Sequence, residues 1–211
     1  MIRTEHWESH WEFPFVKYAS QDSCEKLPLI LQLHGAGERG DGGEDLSRVE
    51  IHGFARLLQS QDYPCILAMP QCPKDSFWAA RVESILRFLD QLKQQFPIDE
   101  DRVYLTGLSM GGYGTWYTAM ASPSSFAAIA PVCGGGMAWN AQVLRMPVWA
   151  FHGTADETVS PRNTEEMVQR LRELNYDVTY SRLEGVGHNA WVQAYQAPLL
   201  EWLLEKRRGL D

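Results

Sequence analysis

Three short stretches carry side chains that could do chemistry together. The first is Gly107-Leu108-Ser109-Met110-Gly111-Gly112, the second His152-Gly153-Thr154-Ala155-Asp156-Glu157, and the third Glu184-Gly185-Val186-Gly187-His188-Asn189-Ala190-Trp191. A serine hydroxyl is a poor nucleophile at neutral pH. It needs a base within hydrogen-bond reach, and the base needs a carboxylate to orient it. Serine, then acid, then histidine is the chain order expected when the serine sits on a sharp strand-to-helix turn. Ser109 meets that condition, because the apolar run Arg102–Thr106 reads as a buried strand and Tyr113–Ala121 can continue as a helix. Downstream of Ser109 stand only two histidines, His152 and His188. His152 is attached to a strand end and precedes the best acid, so His188, in a glycine-flanked loop, is the expected base. Asp156 is the expected carboxylate. Glu157, Asp177 and Glu184 read as surface charges, and Asp99 and Asp101 precede the elbow strand, at its wrong end.

Attack on a carbonyl also needs donors for the oxyanion. The Met110 N–H follows the nucleophile at a helix start. The second donor is expected from His34-Gly35-Ala36-Gly37-Glu38-Arg39-Gly40, most simply the Ala36 N–H; this loop is too rich in glycine for regular structure. His34 is read as structural, bonded beneath the loop. Glu38 and Arg39 are read either as an ion pair shaping the loop or as solvated charges. Trp78, Trp139 and Trp191 lie near the strand ends as candidate substrate walls, Trp139 first among them, although a tryptophan so placed is more often core filling than a ligand platform. No metal-ligand spacing links His34, His152 and His188, so no metal and no cofactor are expected.

The elements that must position these residues follow from periodicity. Leu29–Leu33, Cys65–Met69, Arg102–Thr106, Phe126–Cys133, Val148–Phe151 and Val178–Leu183 read as strands, with Trp11–Tyr18 as an early antiparallel strand at the sheet edge. Val82, Ile85, Leu86, Leu89, Leu92 and Phe96 fall at helical spacing and end at Pro97. Further helices are expected over Gly53–Gln59, after Ser160 as cap with Pro161 at its first position, and over Leu199–Leu204 with Lys206, Arg207 and Arg208 favouring its dipole. Strands alternating with helices imply an α/β class with a mainly parallel sheet. Such sheets bind ligands beyond the carboxyl ends of their strands, where every glycine-rich loop here falls.

The chain has 211 residues, 45% of them hydrophobic and 22% charged, with no repeat or compositional break, and is expected to form one domain over 1–211. A net charge of −8 disfavours nucleic acid and anionic membrane surfaces as partners. Met1–Trp7 lacks the apolar core of a signal peptide, which points to a cytoplasmic protein, or a secreted one if a leader has been removed. Cys65 and Cys133 read as buried thiols, while a Cys24–Cys72 bridge stays open.

These motifs together resemble small serine esterases of the α/β-hydrolase superfamily, in the phospholipase/carboxylesterase branch, also labelled dienelactone-hydrolase-like or "predicted peptidase". The resemblance rests on His34–Gly40, Pro70-Gln71-Cys72-Pro73, Gly107–Gly114, Pro131–Gly135, Phe151-His152-Gly153-x-x-Asp156 and Gly187-His188-x-x-Trp191. It implies an α/β-hydrolase fold, a Ser109–His188–Asp156 triad and an oxyanion hole at Ala36 and Met110. Two departures stand out. Dienelactone hydrolase itself uses cysteine where this chain has Ser109. Asn189 follows His188 where the branch often carries aspartate. The stretch Gly134–Pro147, where many relatives insert a lid, is short, which favours a water-soluble short-acyl ester or an ester on a sugar polymer. The expected activity is therefore carboxylic ester hydrolysis of a small-molecule or sugar-linked ester. The resemblance extends to prolyl-oligopeptidase catalytic domains, which keeps a serine peptidase as an alternative, and a non-catalytic small-molecule binding protein on the same fold is the other.

Overall fold

The computed structural model describes residues 1–20 and 25–209. Eight strands form one sheet: β1 (Ile2–His6), β2 (Phe15–Ala19), β3 (Leu27–Leu33), β4 (Ile66–Pro70), β5 (Ile98–Leu108), β6 (Ala128–Val132), β7 (Val148–Gly153) and β8 (Val178–Leu183). Their order across the sheet is β1-β2-β4-β3-β5-β6-β7-β8. β1 and β2 are antiparallel to their neighbours and all later pairings are parallel. β3, β4 and β6 are buried throughout, as strands covered on both faces must be.

Six α-helices cover the sheet: α1 (Ala55–Ser60), α2 (Val82–Gln95), α3 (Met110–Ala121), α4 (Arg162–Glu173), α5 (Trp191–Ala194) and α6 (Ala197–Glu205). On one face α2 contributes Ile85, Phe88, Leu89 and Leu92, α3 contributes Trp116 and Ala119, and α4 contributes Met167, Val168 and Leu171. On the other, α1 contributes Leu58 and α6 contributes Leu199, Leu200 and Leu203. Each fully buried leucine of these stripes contributes about 1.5–3 kcal/mol of transfer free energy. The amphipathic faces of α2 and α4 are what the helical spacing predicts. α3 is apolar nearly all round because it sits at the centre of its layer, against β3, β5, β6 and α2.

Four readings of the sequence are corrected here. The edge strand is β1, which periodicity missed: its side chains are half-buried or exposed, and it is held by pairing with β2 and by Arg3 on Glu50. Consequently the strand expected over Trp11–Tyr18 starts at Phe15 and lies second from the edge. The Ser160 side chain caps nothing; Pro161 stands at the N-cap of α4, and the Ser160 carbonyl accepts the Asn163 N–H. Finally, α6 ends at Glu205, so the basic run leaves the helix. Arg207 and Arg208 instead pair with Asp99 and Asp101 at the start of β5, a strand that extends back to Ile98.

The link between β6 and β7 contains one 3-10 segment, Ala138–Val143, and no inserted lid domain. No described helix is long and apolar enough to cross a membrane. Cys72 is a buried free thiol, as are Cys65 and Cys133; Cys24, the other half of the open pairing, lies outside the described residues.

Candidate active site

The carboxyl ends of β3, β5, β6, β7 and β8 open on one rim, and the loops that leave them meet at Ser109. Ser109 joins β5 to α3 with φ 53° and ψ −114°, a left-handed conformation unfavourable for a side-chain-bearing residue. Its N–H is fixed on the Val132 carbonyl at 2.9 Å. The turn is possible because of its glycines. A Cβ on Gly107 would stand 2.4 Å from the Gly111 carbonyl oxygen, and one on Gly111 would stand 2.1 Å from that of Leu33.

His188 Nε2 lies 2.8 Å from Ser109 Oγ, and His188 Nδ1 lies 2.7 Å from Asp156 Oδ2. Ser109 and His188 are half-buried, whereas the Asp156 carboxylate is fully enclosed. With Nδ1 donating to the carboxylate, Nε2 is left to accept the serine proton. Burial would raise the Asp156 pKa, but N–H donors from Val159, His188 and Thr158 outweigh it and hold the group below its ordinary value. The carboxylate therefore stays charged at neutral pH despite its enclosure.

The Met110 and Ala36 N–H groups donate no hydrogen bond among the described residues. Ala36 is exposed at the start of a 3-10 turn, Ala36–Glu38, and Met110 opens α3. The exit of β4 holds the Ala36 loop in place. Gln71 Nε2 donates to the carbonyls of Glu38 and Asp45, its Oε1 accepts the Gly42 N–H, and the Cys72 carbonyl accepts the Gly40 N–H. Glu38 and Arg39 do not pair. Arg39 donates to the carbonyls of Ala36 and Ser76, and Glu38 is buried with Oε1 3.9 Å from His52 Nε2 and Oε2 lacking a hydrogen-bond partner.

His34 lies beneath this loop. The Cys72 N–H donates to its Nε2 at 2.9 Å, which leaves Nδ1–H to donate to the Gly35 carbonyl at 2.6 Å. Burial lowers its pKa to about 4. The unfolded chain binds this proton below about 6.5 and the folded chain does not, so stability should fall as pH drops from 6.5 toward 4. The loss is bounded by about 1.4 kcal/mol per pH unit, or roughly 3 kcal/mol in all. Thermal melts across that range should show a steeper decline for the wild type than for His34→Gln; equal slopes would contradict this account.

The three tryptophans separate. Trp78 is fully buried and donates its indole N–H to the His34 carbonyl, so it supports the loop from below rather than lining a pocket. Trp139 is 75% exposed on the 3-10 segment after β6, with no ring contact or hydrogen bond to Ser109, His188 or Asp156 among the described residues. Trp191 meets His188 edge to face at 5.2 Å and contacts the His52 ring at 5.2 Å. It walls a cleft of about 290 Å³ that also takes in Ile51, His52, Arg56 and Val192. The sequence left His52 and Arg56 unmarked because nothing in their spacing ties them to the other loops.

Two residues named in the sequence make contacts to the site that their spacing did not assign. His152 is fully buried at the end of β7, with Nε2 3.1 Å from Asp156 Oδ2 and 3.0 Å from the Val159 carbonyl, and Nδ1 2.7 Å from Thr164 Oγ1. The sequence placed it at a strand end and in the Phe151-His152-Gly153-x-x-Asp156 motif, but not on the carboxylate. Cys133 has φ 49° and places Sγ 3.4 Å from the His188 carbonyl, while burial pushes its thiol up to about 12. Cys133, Asp156 and His188 present ligand atoms within 4.8 Å of one another. An ion entering there would have to break the hydrogen bond between Asp156 and His188.

Comparison with known proteins agrees with this arrangement. The chain matches the phospholipase/carboxylesterase family over residues 74–199, more than half its length. It is 28% identical over 167 residues to a bifunctional acetylxylan esterase/xylanase of Neocallimastix patriciarum, covering 74% of this chain and 23% of that protein. It is 29% identical over 226 residues to poly(3-hydroxyalkanoate) depolymerase C of Paucimonas lemoignei, covering 82% and 52%. The crystal structure of a thermostable esterase superposes with a TM-score of 0.82 at 29% identity, over 98% of this chain and 63% of that one. The chain thus spans about a quarter to a half of the curated relatives named. With a mainly parallel sheet, a serine on a strand-to-helix elbow and this match, the chain belongs to the phospholipase/carboxylesterase family of the α/β-hydrolase fold.

Proposed function

We propose that the protein is a serine carboxylesterase acting on short-acyl or carbohydrate-linked esters. The observation that carries this reading is the unbroken row from Ser109 Oγ through His188 to Asp156; to the Ala36 and Met110 N–H groups, which donate no hydrogen bond among the described residues, we assign the oxyanion. Ser109 Oγ attacks the ester carbonyl carbon as its proton passes to His188 Nε2. The N–H groups of Ala36 and Met110 receive the oxyanion, and Asp156 stabilises the imidazolium. The bond to the alcohol then breaks, and the alcohol leaves with the proton from Nε2. Water next gives a proton to Nε2 and attacks the acyl-serine. The acid departs and Ser109 recovers its proton.

Two features support the substrate class. The β6–β7 link lacks a lid, so no apolar cover needs to open on a lipid surface. The cleft beside Trp191 is open and mixed in character, suited to the part of a soluble ester beyond the scissile bond. An acetylated sugar is a natural candidate, since a relative is named for acetylxylan. A cytoplasmic site of action accompanies the proposal, supported by the three buried free thiols.

The test is a p-nitrophenyl ester series from acetate to octanoate, run beside acetylated xylo-oligosaccharides and a peptide panel. Turnover should be highest for short chains, with no jump in rate where long-chain esters form micelles. Cleavage of peptide amides in preference to esters would establish a peptidase instead. Stoichiometric fluorophosphonate labelling without ester turnover would establish a binding protein.

A further inference from the structure

Asp156 is shared between two histidines. Its Oδ1 accepts the N–H groups of Thr158 and Val159, each at 2.9 Å. Its Oδ2 faces His188 Nδ1 at 2.7 Å and His152 Nε2 at 3.1 Å. His152 Nε2 faces two acceptors, Asp156 Oδ2 and the Val159 carbonyl, so it must carry a hydrogen. On the far side of the ring, Nδ1 meets Thr164 Oγ1, which is also 2.6 Å from the Gly134 carbonyl at the mouth of β6. The row that begins at Ser109 therefore continues past the carboxylate, through His152, to Thr164, whose single hydroxyl hydrogen serves either His152 Nδ1 or the Gly134 carbonyl and goes to Nδ1 when the ring holds its own hydrogen on Nε2. Every side chain beyond His188 in this row is buried, so no water substitutes for a missing member.

We propose that His152 is a positioning residue for the reaction: through Nε2–H it fixes the Asp156 carboxylate and limits how strongly that carboxylate can raise the basicity of His188. The inference rests on the reading of His188 and Asp156 as base and carboxylate. Its physical content is competition for one oxygen. A second donor on Oδ2 draws charge from the contact with His188, so the His188 imidazolium is held less tightly than by a carboxylate it had to itself. Removing that donor leaves Asp156 more basic and His188 harder to deprotonate, and frees the carboxylate to turn.

Burial raises the pKa of two other groups that face this pair. The Cys133 thiol is pushed up to about 12, and burial raises the Tyr113 phenol, which also feels the Asp156 charge. His52 and His188 each contact the Trp191 ring, Glu38 Oε1 lies 3.9 Å from His52 Nε2, and Glu157 and Glu184 are exposed. Burial lowers the His152 pKa against the pull of the Val159 carbonyl and Asp156, which agrees with a neutral ring holding its hydrogen on Nε2.

The experiment is the pH profile of kcat and kcat/KM on p-nitrophenyl acetate for wild type, His152→Leu and His152→Gln. In His152→Leu, kcat should fall about tenfold or more with KM little changed, and the acid limb should move to higher pH by about half a unit or more. In His152→Gln, an amide N–H again faces Asp156 and an amide oxygen faces Thr164, so the limb should return toward its wild-type position. An unmoved limb in His152→Leu overturns the proposal, whether or not the rate falls; a fall with no movement means the ring only fills space. If His152→Leu fails to fold, ¹⁵N NMR of the imidazoles in the wild-type enzyme decides. The His152 hydrogen should reside on Nε2 across pH 6–8, and finding it on Nδ1 alone overturns the proposal. A Ser109→Ala assay reports on the triad separately, so failure of that reading is distinguishable from failure of this one.

Discussion

Replacing Ser109 with alanine should lower kcat on p-nitrophenyl acetate by about four to six orders of magnitude, with a residual rate still above that in water. The loss is large because the hydroxyl is the only atom the substitution removes and no neighbour can take its place. The Cys133 thiol lies at the same site, within 4.8 Å of ligand atoms of Asp156 and His188, but it is buried, protonated and turned toward the His188 carbonyl. On the proposed mechanism the residual rate would come from the Ala36 and Met110 N–H groups, which would still polarise a bound ester. The folded state should be no less stable, since alanine tolerates φ 53° about as poorly as serine and the lost hydrogen bond is half-exposed. His188→Ala should cost nearly as much, and the double variant little more than either, because the residues act as a unit. Single-turnover kinetics and melting curves of the three variants check this. Turnover within tenfold of wild type in Ser109→Ala would remove Ser109 from the reaction.

The residues in that prediction were legible from spacing alone, because serine, acid and histidine must each follow a strand that ends on the same rim. A parallel sheet makes this rule strict: successive β–α units return every carboxyl end to one side. What spacing does not report is who stands behind the site. His152 lies one residue from the end of β7, and only the fold shows that its ring turns back onto Asp156. Glu38 and Arg39 are adjacent and opposite in charge, yet adjacent residues on a tight turn face apart. Arg39 reached the backbone of Ala36 and Ser76 instead. The charge run at 206–208 suited a helix end by composition, but its partners, Asp99 and Asp101, lie about a hundred residues upstream. β1 was illegible for a different reason: an edge strand with a solvated face needs no apolar alternation, and its stability is in backbone pairing and the Arg3–Glu50 contact.

Gly111→Ala should damage the protein more than its chemistry suggests. Within a helix, glycine to alanine ordinarily gains about 0.5–1 kcal/mol, because alanine loses less backbone entropy on folding. At Gly111 the added methyl would stand 2.1 Å from the Leu33 carbonyl oxygen, 2.6 Å from its carbon and 2.8 Å from the His34 carbonyl oxygen. All three are backbone atoms at the end of β3, where no side chain can swing aside. Relief requires α3 and β3 to separate. β3 is paired on both sides and buried throughout, so the strain should exceed the propensity gain severalfold, a net loss of about 3 kcal/mol or more. The same movement would displace the Ala36 loop, proposed to receive the oxyanion, since that loop begins where β3 ends. Activity should therefore fall even in the fraction that folds. Gly37→Ala is the control. Gly37 lies in the same loop, but a methyl there meets nothing within 4 Å and its backbone is not left-handed, so stability should be nearly unchanged. Urea unfolding of the two variants separates the explanations. A loss at Gly111 with Gly37→Ala unaffected places the constraint at the contact between elbow helix and strand. Equal tolerance at both sites would mean that the elbow has more room than its backbone distances allow.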